Sequence, residues 1–343
     1  MSDKVVAIDA KDFIRKSSLL GKSFKAPLGV AVKINNYSSF SVKYLDTIRQ
    51  LKSQYGIVSS LKILKSYDIL KRLHSSGLEF MEKIVSSLTG EIDSTLVYYT
   101  IIPPKKIPKV KMYWGDKGGL EEVSPIEFIG QLSNYYPHIC AWKYFKDNPA
   151  ENDIPIYMDY FEGNITPAWE ELQDREHLFV GSDSTNPAIS FADILTKVID
   201  YRLENQHKRL FMTDILDIAK DLNAKTVFID QLPQIAPKYK AKIDLNNKMI
   251  RPIIYILKEG MEKKETLFRP EGKMIEESPA MERILNFATD LGTYYKFYDP
   301  FLDQGKIREN DYFIYLGENG KKHANYLLTL GYKIIIKSIG DLS

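Results

Sequence analysis

Four aspartates in this chain have the residue type and placement needed for a divalent-metal site. Asp9 lies in the apolar segment VVAIDA, Asp159 ends the apolar segment IPIYMD, and Asp183 follows the apolar segment LFVG. Asp193 lies in the helical pattern ISFADIL. Hard cations prefer oxygen ligands, and two Mg²⁺ or Mn²⁺ ions about 4 Å apart can support phosphodiester hydrolysis. The residue types therefore favour phosphate chemistry.

Periodicity predicts the elements that would position these carboxylates. The segments expected to form strands are 5–10, 28–34, 94–102, 154–158 and 177–180. The segments expected to form helices are 41–55, 61–73, 78–88 and 189–203, whereas 12–20 is expected to be a short helix or an irregular loop. Aspartates on two neighbouring strands and near the start of a packing helix can meet at one edge of a sheet. We expect Asp9, Asp159 and Asp193 to meet in this way.

The pattern changes character after residue 205, and we place a domain boundary there. Helices are expected over 210–222, 280–291 and 321–330, and strands over 226–230, 251–257, 311–316 and 332–337. The last strand, helix and strand form a βαβ unit, which implies parallel pairing. The chain is thus expected to contain an N-terminal domain, 1–205, and a C-terminal α/β region, 206–343.

The order of these elements resembles the ribonuclease H-like superfamily. It consists of an Asp-bearing first strand, an apolar second strand, a helical middle, another Asp-bearing strand and the helix start ISFADIL. Within that superfamily, the chain is similar to an uncharacterised family with an Ala-Asp helix motif. The resemblance covers about residues 4–205 and implies a ribonuclease H-like mixed sheet flanked by helices, followed by a C-terminal α/β extension. It also implies catalysis by Asp9, Asp159 and Asp193. Asp183 and Glu162 are close enough in sequence to these residues to be a fourth ligand or a supporting group.

A basic loop supplies candidate contacts to nucleic acid. Lysines precede the aromatic pair Tyr113 and Trp114, and such a combination suits contact with a nucleic-acid strand. The four lysines are Lys105, Lys106, Lys109 and Lys111. A solvated loop with a hairpin turn is at least as good an interpretation of the same residues.

Composition limits the alternatives. The formal net charge is +2, which argues against a histone-like binder, and the single cysteine, Cys140, excludes an intrachain disulfide and a cysteine-rich zinc site. No basic-then-apolar signal peptide and no apolar run of about 18 residues is present, so we expect a cytoplasmic protein without a membrane span.

Three functions stay open at this point. The first is a two-metal Mg²⁺- or Mn²⁺-dependent nuclease acting on DNA or RNA. The second is a non-catalytic module that binds nucleic acid or protein. This alternative stays open because Asp9 is followed by AKDF and not by the acidic-then-glycine turn that is usual in the superfamily. The third is an interaction protein in which Asp159 and Asp193 cap elements or form internal salt bridges. A homo-oligomer is compatible with each.

Overall fold

The computed structural model describes most of the chain, with gaps. The described residues are 3–11, 14–17, 22–25, 28–99, 110–114, 119–123, 144–145, 148, 151–159, 178–205, 211–228, 251–257 and 279–342.

The strands are short and fall into four sheets. Their bounds are β1 Val5–Lys11, β2 Ile14–Ser17, β3 Lys22–Lys25, β4 Leu28–Ile34, β5 Ile92–Tyr99, β6 Val110–Trp114, β7 Gly119–Val123, β8 Ile156–Asp159, β9 Leu178–Gly181, β10 Lys225–Phe228, β11 Ile254–Leu257, β12 Tyr295–Phe297, β13 Tyr312–Tyr315 and β14 Ile335–Ser338. The α-helices are α1 Tyr37–Gln54, α2 Ser66–Leu73, α3 Gly77–Leu88, α4 Pro187–Asn205, α5 Phe211–Asp221, α6 Pro279–Leu291, α7 Pro300–Asp303 and α8 Gly317–Thr329.

The large sheet is mixed and has the strand order β10-β5-β4-β1-β8-β9. Strand β4 is antiparallel to both β1 and β5, whereas β8 runs parallel to β1 and to β9. At the far edge, β10 runs parallel to β5. The sheet therefore has a parallel half, β1-β8-β9, whose carboxyl ends lie at one edge.

Helices α1, α3 and α4 cover one face of the large sheet. Alternation along β1 directs Val5 and Ala7 to that face, where they join a buried cluster that includes Phe40, Ile84 and Phe191. Helix α4 is buried along most of its length, polar residues such as Asp193 included, so it lies in the interior of the protein. The core therefore lies between β1 and α4, directly beside the expected acidic residues.

The C-terminal part contains a smaller sheet with the order β12-β11-β13-β14, in which all pairs are parallel. Hydrogen bonds join this part to the N-terminal body. Lys62 pairs with Asp290, and the hydroxyl of Thr185 donates to the carbonyl of Thr293 at 2.8 Å. The turn that carries Asp183 is thus in contact with the C-terminal part.

The structure confirms an α/β fold with a mixed sheet flanked by helices, and it confirms the parallel β13–β14 pairing. The expectation for 12–20 is wrong where residues are described, because β2 and β3 pair as an antiparallel hairpin. The helix expected over 61–73 begins only at Ser66, since Lys65 has an extended backbone with ψ 159°. Strand β12 was not predicted, because three residues are too few to show alternation.

Two further findings concern the expected domain boundary and membrane-spanning helices. Helix α5 and strand β10 follow residue 205, and β10 completes the large sheet, so that sheet extends past the expected boundary. Within the part of the chain that the structure describes, no helix is long and apolar enough to cross a membrane.

Candidate functional site

Asp9 and Asp159 lie side by side on neighbouring parallel strands. The register pairs Ile8 of β1 with Met158 of β8, and each aspartate is the next residue of its strand. Because side chains alternate along a strand, both carboxylates project from the same face of the sheet. Tyr157 shares that face with Asp159 and packs against the core beneath α4. The structure therefore brings these two predicted site residues together.

Asp183 lies in the turn 182–186, between β9 and α4. Its backbone N–H donates to Oδ1 of Asp159 at 3.3 Å, so the turn is tied to the end of β8. The turn closes on the carbonyl of Ser182, which accepts from the N–H groups of Thr185 and Asn186 at 3.1 and 2.8 Å. Asn186 then caps α4, since its side-chain oxygen accepts from the N–H groups two and three residues later, at 2.9 and 3.2 Å.

A lysine that sequence analysis did not single out contacts this acidic group. The ammonium nitrogen of Lys65 lies 3.0 Å from Oδ1 of Asp183. The two side chains are only 23% and 15% exposed, which shields the pair from solvent. Lys65 immediately precedes α2, so it brings a positive charge from the helical layer to the acidic edge of the sheet.

Asp193 has a different environment from the other three aspartates. Its two carboxylate oxygens accept hydrogen bonds from Ser66, one from the backbone N–H at 2.7 Å and one from the hydroxyl at 2.9 Å. Both residues are buried. Asp193 on α4 therefore caps the first turn of α2, which is the internal role that the sequence left open for it.

The electrostatics of the site reflect crowded carboxylates. Burial, then the charge of Asp183 and to a smaller extent that of Asp9, raise the pKa of Asp159 well above its usual range, against the lowering effect of Lys65. Burial also raises the pKa of Asp183, against Lys65, and the charge of Asp193 adds to the rise. Such a pKa pattern means that the ionised form of these groups is disfavoured until a cation approaches.

The carboxylates of Asp9 and Asp159 suit a small divalent cation that takes few of its ligands from the protein. Asp9 and Asp159 offer adjacent carboxylate oxygens, and Mg²⁺ is commonly bound by one or two carboxylates, with water and substrate phosphate completing its coordination. Among the described residues, no three His, Cys, Asp or Glu side chains lie close enough together to hold a metal ion. A site built here would therefore use the Asp9–Asp159 pair and non-protein oxygens, with Asp183 beside it.

The remaining predicted residues fall mostly outside the described residues. Lys105, Lys106, Lys109 and Glu162 are not described, and Lys111 is described only as part of β6. Strands β6 and β7 pair as an antiparallel hairpin, as the alternative interpretation of the basic loop expects. A nucleic-acid contact by these four lysines stays a prediction.

Sequence reasoning missed Lys65 and Ser66 because the apolar period appeared to start at Leu61. An acidic residue in the first turn is a helix-start signal, and Asp68 could therefore have moved the boundary. A lysine just before that start is unusual, since the positive end of the helix dipole disfavours it. Nothing in the sequence alone relates it to Asp183, which is 118 residues away in a separate element.

Comparisons with known proteins identify a family but no activity. A family model described as a domain of unknown function (DUF8203) matches residues 6–246, a range that includes all four aspartates and Lys65. An uncharacterized protein from Archaeoglobus fulgidus is 30% identical over 336 residues, covering 94% of this chain and 95% of that protein. No solved structure matches. On the extent of the first match, the chain belongs to the DUF8203 family.

Proposed function

We propose that this protein is a Mg²⁺- or Mn²⁺-dependent nuclease that hydrolyses phosphodiester bonds in nucleic acid. The observation that carries the proposal is the placement of Asp9 and Asp159 on adjacent parallel strands, with Asp183 hydrogen-bonded to Asp159. Buried like charges in direct proximity are costly unless a cation balances them. A divalent cation is the ligand that suits this arrangement.

The surrounding fold supports the proposal that the N-terminal part is ribonuclease H-like. The Asp-bearing strand β1 lies between the apolar strand β4 and the Asp-bearing strand β8, and α4, which carries ISFADIL, packs on the same sheet. Along the chain, β1, β4, the helices α1 to α3, β8 and α4 also follow one another in the order on which the resemblance rests. The carboxylates also lie at the carboxyl ends of parallel strands, where many α/β proteins bind their ligands.

Each residue has a defined part in the proposed chemistry. Asp9 and Asp159 would hold the ion, and the turn carrying Asp183 would fix the position of Asp159 through the backbone hydrogen bond. When bound, such an ion activates water as a nucleophile and neutralises charge that develops on the scissile phosphate. Lys65 adds a fixed positive charge next to Asp183.

A cleavage assay tests the proposal. Purified full-length protein is incubated with single- and double-stranded DNA and RNA in Mg²⁺, Mn²⁺ or EDTA, and Asp159→Asn is compared with wild type. Asp153→Asn is the matched control, because Asp153 is an exposed acid shortly before β8. We expect cleavage by wild type and by Asp153→Asn that EDTA abolishes, and a loss of at least about 100-fold in Asp159→Asn. Equal activity of Asp159→Asn and wild type would remove the proposed site.

A non-catalytic binding module is the second candidate, and the position of Asp193 favours it. A carboxylate that accepts two hydrogen bonds from Ser66 is committed to holding α2, and the described residues contain no three-ligand metal group. This candidate predicts nucleic-acid or protein binding that persists in EDTA and in Asp159→Asn, without cleavage. Filter binding in the same buffers separates it from the nuclease. The nucleic-acid partner, a homo-oligomer and a cytoplasmic location stay predictions under both candidates.

A further inference from the structure

We propose that the Lys65 ammonium group takes the place of a second metal ion, so that the site binds one divalent cation, at Asp9 and Asp159. The inference rests on the proposed function and deepens it, because it names the residue that sets the metal stoichiometry. It rests on three observations: a shielded ion pair, contacts that hold this pair in place, and the adjacent positions of Asp9 and Asp159 on parallel strands.

The ion pair occupies the oxygen that a second metal ion would need. Lys65 Nζ lies 3.0 Å from Asp183 Oδ1, and Ser184 also donates its hydroxyl to the same oxygen at 3.2 Å. A pair with such small exposure is screened less than a pair at the surface, so the ammonium group is harder to displace. A divalent ion at Asp183 would have to displace Lys65 and then tolerate its positive charge nearby.

The fold holds Lys65 in this position. The next residue, Ser66, is bound through both its backbone N–H and its hydroxyl by Asp193 of α4. Asp193 and Asp183 are joined by the turn and the first turns of the same helix, so the acid and its cation share one support. Lys65 also lies at the positive end of α2, a location that is unfavourable for a cation. Residues that break a local rule in this way are expected at functional sites.

In this inference the single ion is held by the carboxylates of Asp9 and Asp159, which lie on adjacent parallel strands. Two carboxylates suffice for one Mg²⁺ or Mn²⁺ when water and substrate phosphate supply the other ligands. One divalent ion and one ammonium group also carry less positive charge than two divalent ions. The lysine thus supplies the second positive charge without a second metal.

Counting bound Mn²⁺ on the full chain tests the inference without any substrate. Calorimetric titration, checked by the electron paramagnetic resonance of free Mn²⁺, should give one ion for wild type and two for Lys65→Gln. Lys65→Arg keeps the charge and should give one. Lys62→Gln is the matched control, since Lys62 is a nearby lysine that pairs with Asp290 instead, and it should also give one.

Asp183→Asn completes the test. It should retain the one ion of wild type, and in the Lys65→Gln background it should reduce two ions to one. Loss of the single ion in Asp183→Asn would overturn the inference, because Asp183 would then be a ligand. That variant keeps the test decisive if Lys65→Gln fails to fold, which thermal melting in EDTA would reveal.

The outcomes separate this inference from the proposed function. Two ions on wild type, or one ion on a folded Lys65→Gln, would overturn the role of Lys65 while leaving metal-dependent cleavage intact. No Mn²⁺ binding by wild type would overturn both. One ion on wild type that Asp9→Asn and Asp159→Asn each remove, together with two ions on Lys65→Gln, would support both.

Discussion

Buried aspartates occur both at the edge of the large sheet and in the C-terminal part, but the two regions balance the charge of these aspartates differently. In the C-terminal part, Asp311 accepts two hydrogen bonds from the guanidinium of Arg251, at 2.9 and 3.1 Å, and two from backbone N–H groups at 2.8 and 2.9 Å. Asp303 accepts from the ammonium of Lys296 at 2.6 Å and from a backbone N–H at 2.9 Å. Each acid there has its own cation.

At the carboxyl edge of the large sheet, carboxylates lie next to other carboxylates. Asp9 is beside Asp159, Asp159 is tied to Asp183, and the pKa values of the latter two are raised even though Lys65 is present. A buried acid with a dedicated cation and backbone donors is explained by the stability of the fold alone. A group of buried acids with raised pKa values costs stability, and this difference is the reason that we propose a functional site at the edge of the large sheet.

The largest effect is expected where an acid is fully paired. Asp311→Ala should lower the free energy of unfolding by about 3–5 kcal/mol, because it leaves Arg251 partly buried without its carboxylate and two backbone N–H groups without an acceptor. Chemical denaturation followed by circular dichroism measures the change. Glu309→Ala is the control, since Glu309 forms an exposed pair with Lys333 and should cost about 0–1 kcal/mol. Similar effects of the two substitutions would mean that Asp311 is not structural.

The next largest effect is expected at Asp193, which lies in the N-terminal part but resembles the paired acids of the C-terminal part. Asp193→Ala should cost about 2–3 kcal/mol, because it removes two hydrogen bonds between a charged acceptor and Ser66. Asp193→Asn, which keeps one acceptor oxygen, should cost less. A double-mutant cycle with Ser66→Ala measures the coupling. If Asp193 were instead a metal ligand, Asp193→Asn would abolish Mn²⁺ binding and leave stability unchanged.

Asp159→Asn should have the opposite sign, a gain in the free energy of unfolding at neutral pH in EDTA. The folded pKa of Asp159 lies above its unfolded value, so ionisation opposes folding. Below the unfolded pKa, both states are protonated and there is no penalty. Wild-type stability then falls as pH rises from the unfolded towards the folded pKa, and the full penalty applies above it.

Thermal melting of wild type and Asp159→Asn from pH 3 to pH 8 measures this difference. The two curves should coincide at low pH and separate as pH rises, and Mn²⁺ should stabilise wild type but not the variant. Asp153→Asn should follow wild type throughout, since Asp153 is exposed. A destabilised Asp159→Asn at neutral pH would place Asp159 with the structural acids of the C-terminal part.

The sequence predicted the strands and the helix that carry these aspartates better than it predicted the residues that the aspartates contact. The strands that carry Asp9 and Asp159 and the helix that carries Asp193 were predicted, because hydrophobic periodicity is a local signal. The contacts between Lys65 and Asp183, and between Ser66 and Asp193, join residues more than a hundred positions apart, and no local pattern encodes them. The predicted helix start at Leu61 is too early for the same reason, because a tertiary contact at Ser66 sets the observed start of α2.

The smallest effect concerns the contact between the two regions. Thr185 belongs to the turn that carries Asp183, and its hydroxyl donates to the buried carbonyl of Thr293 just before β12. Thr185→Val keeps the shape and removes the donor, so it should cost about 1 kcal/mol in chemical denaturation, whereas Thr185→Ser should cost less. The C-terminal part would then support the acidic edge through this turn, and Thr185→Val should weaken Mn²⁺ binding without changing its stoichiometry. Unchanged Mn²⁺ affinity in a destabilised Thr185→Val would show that the two regions share a contact but not a site.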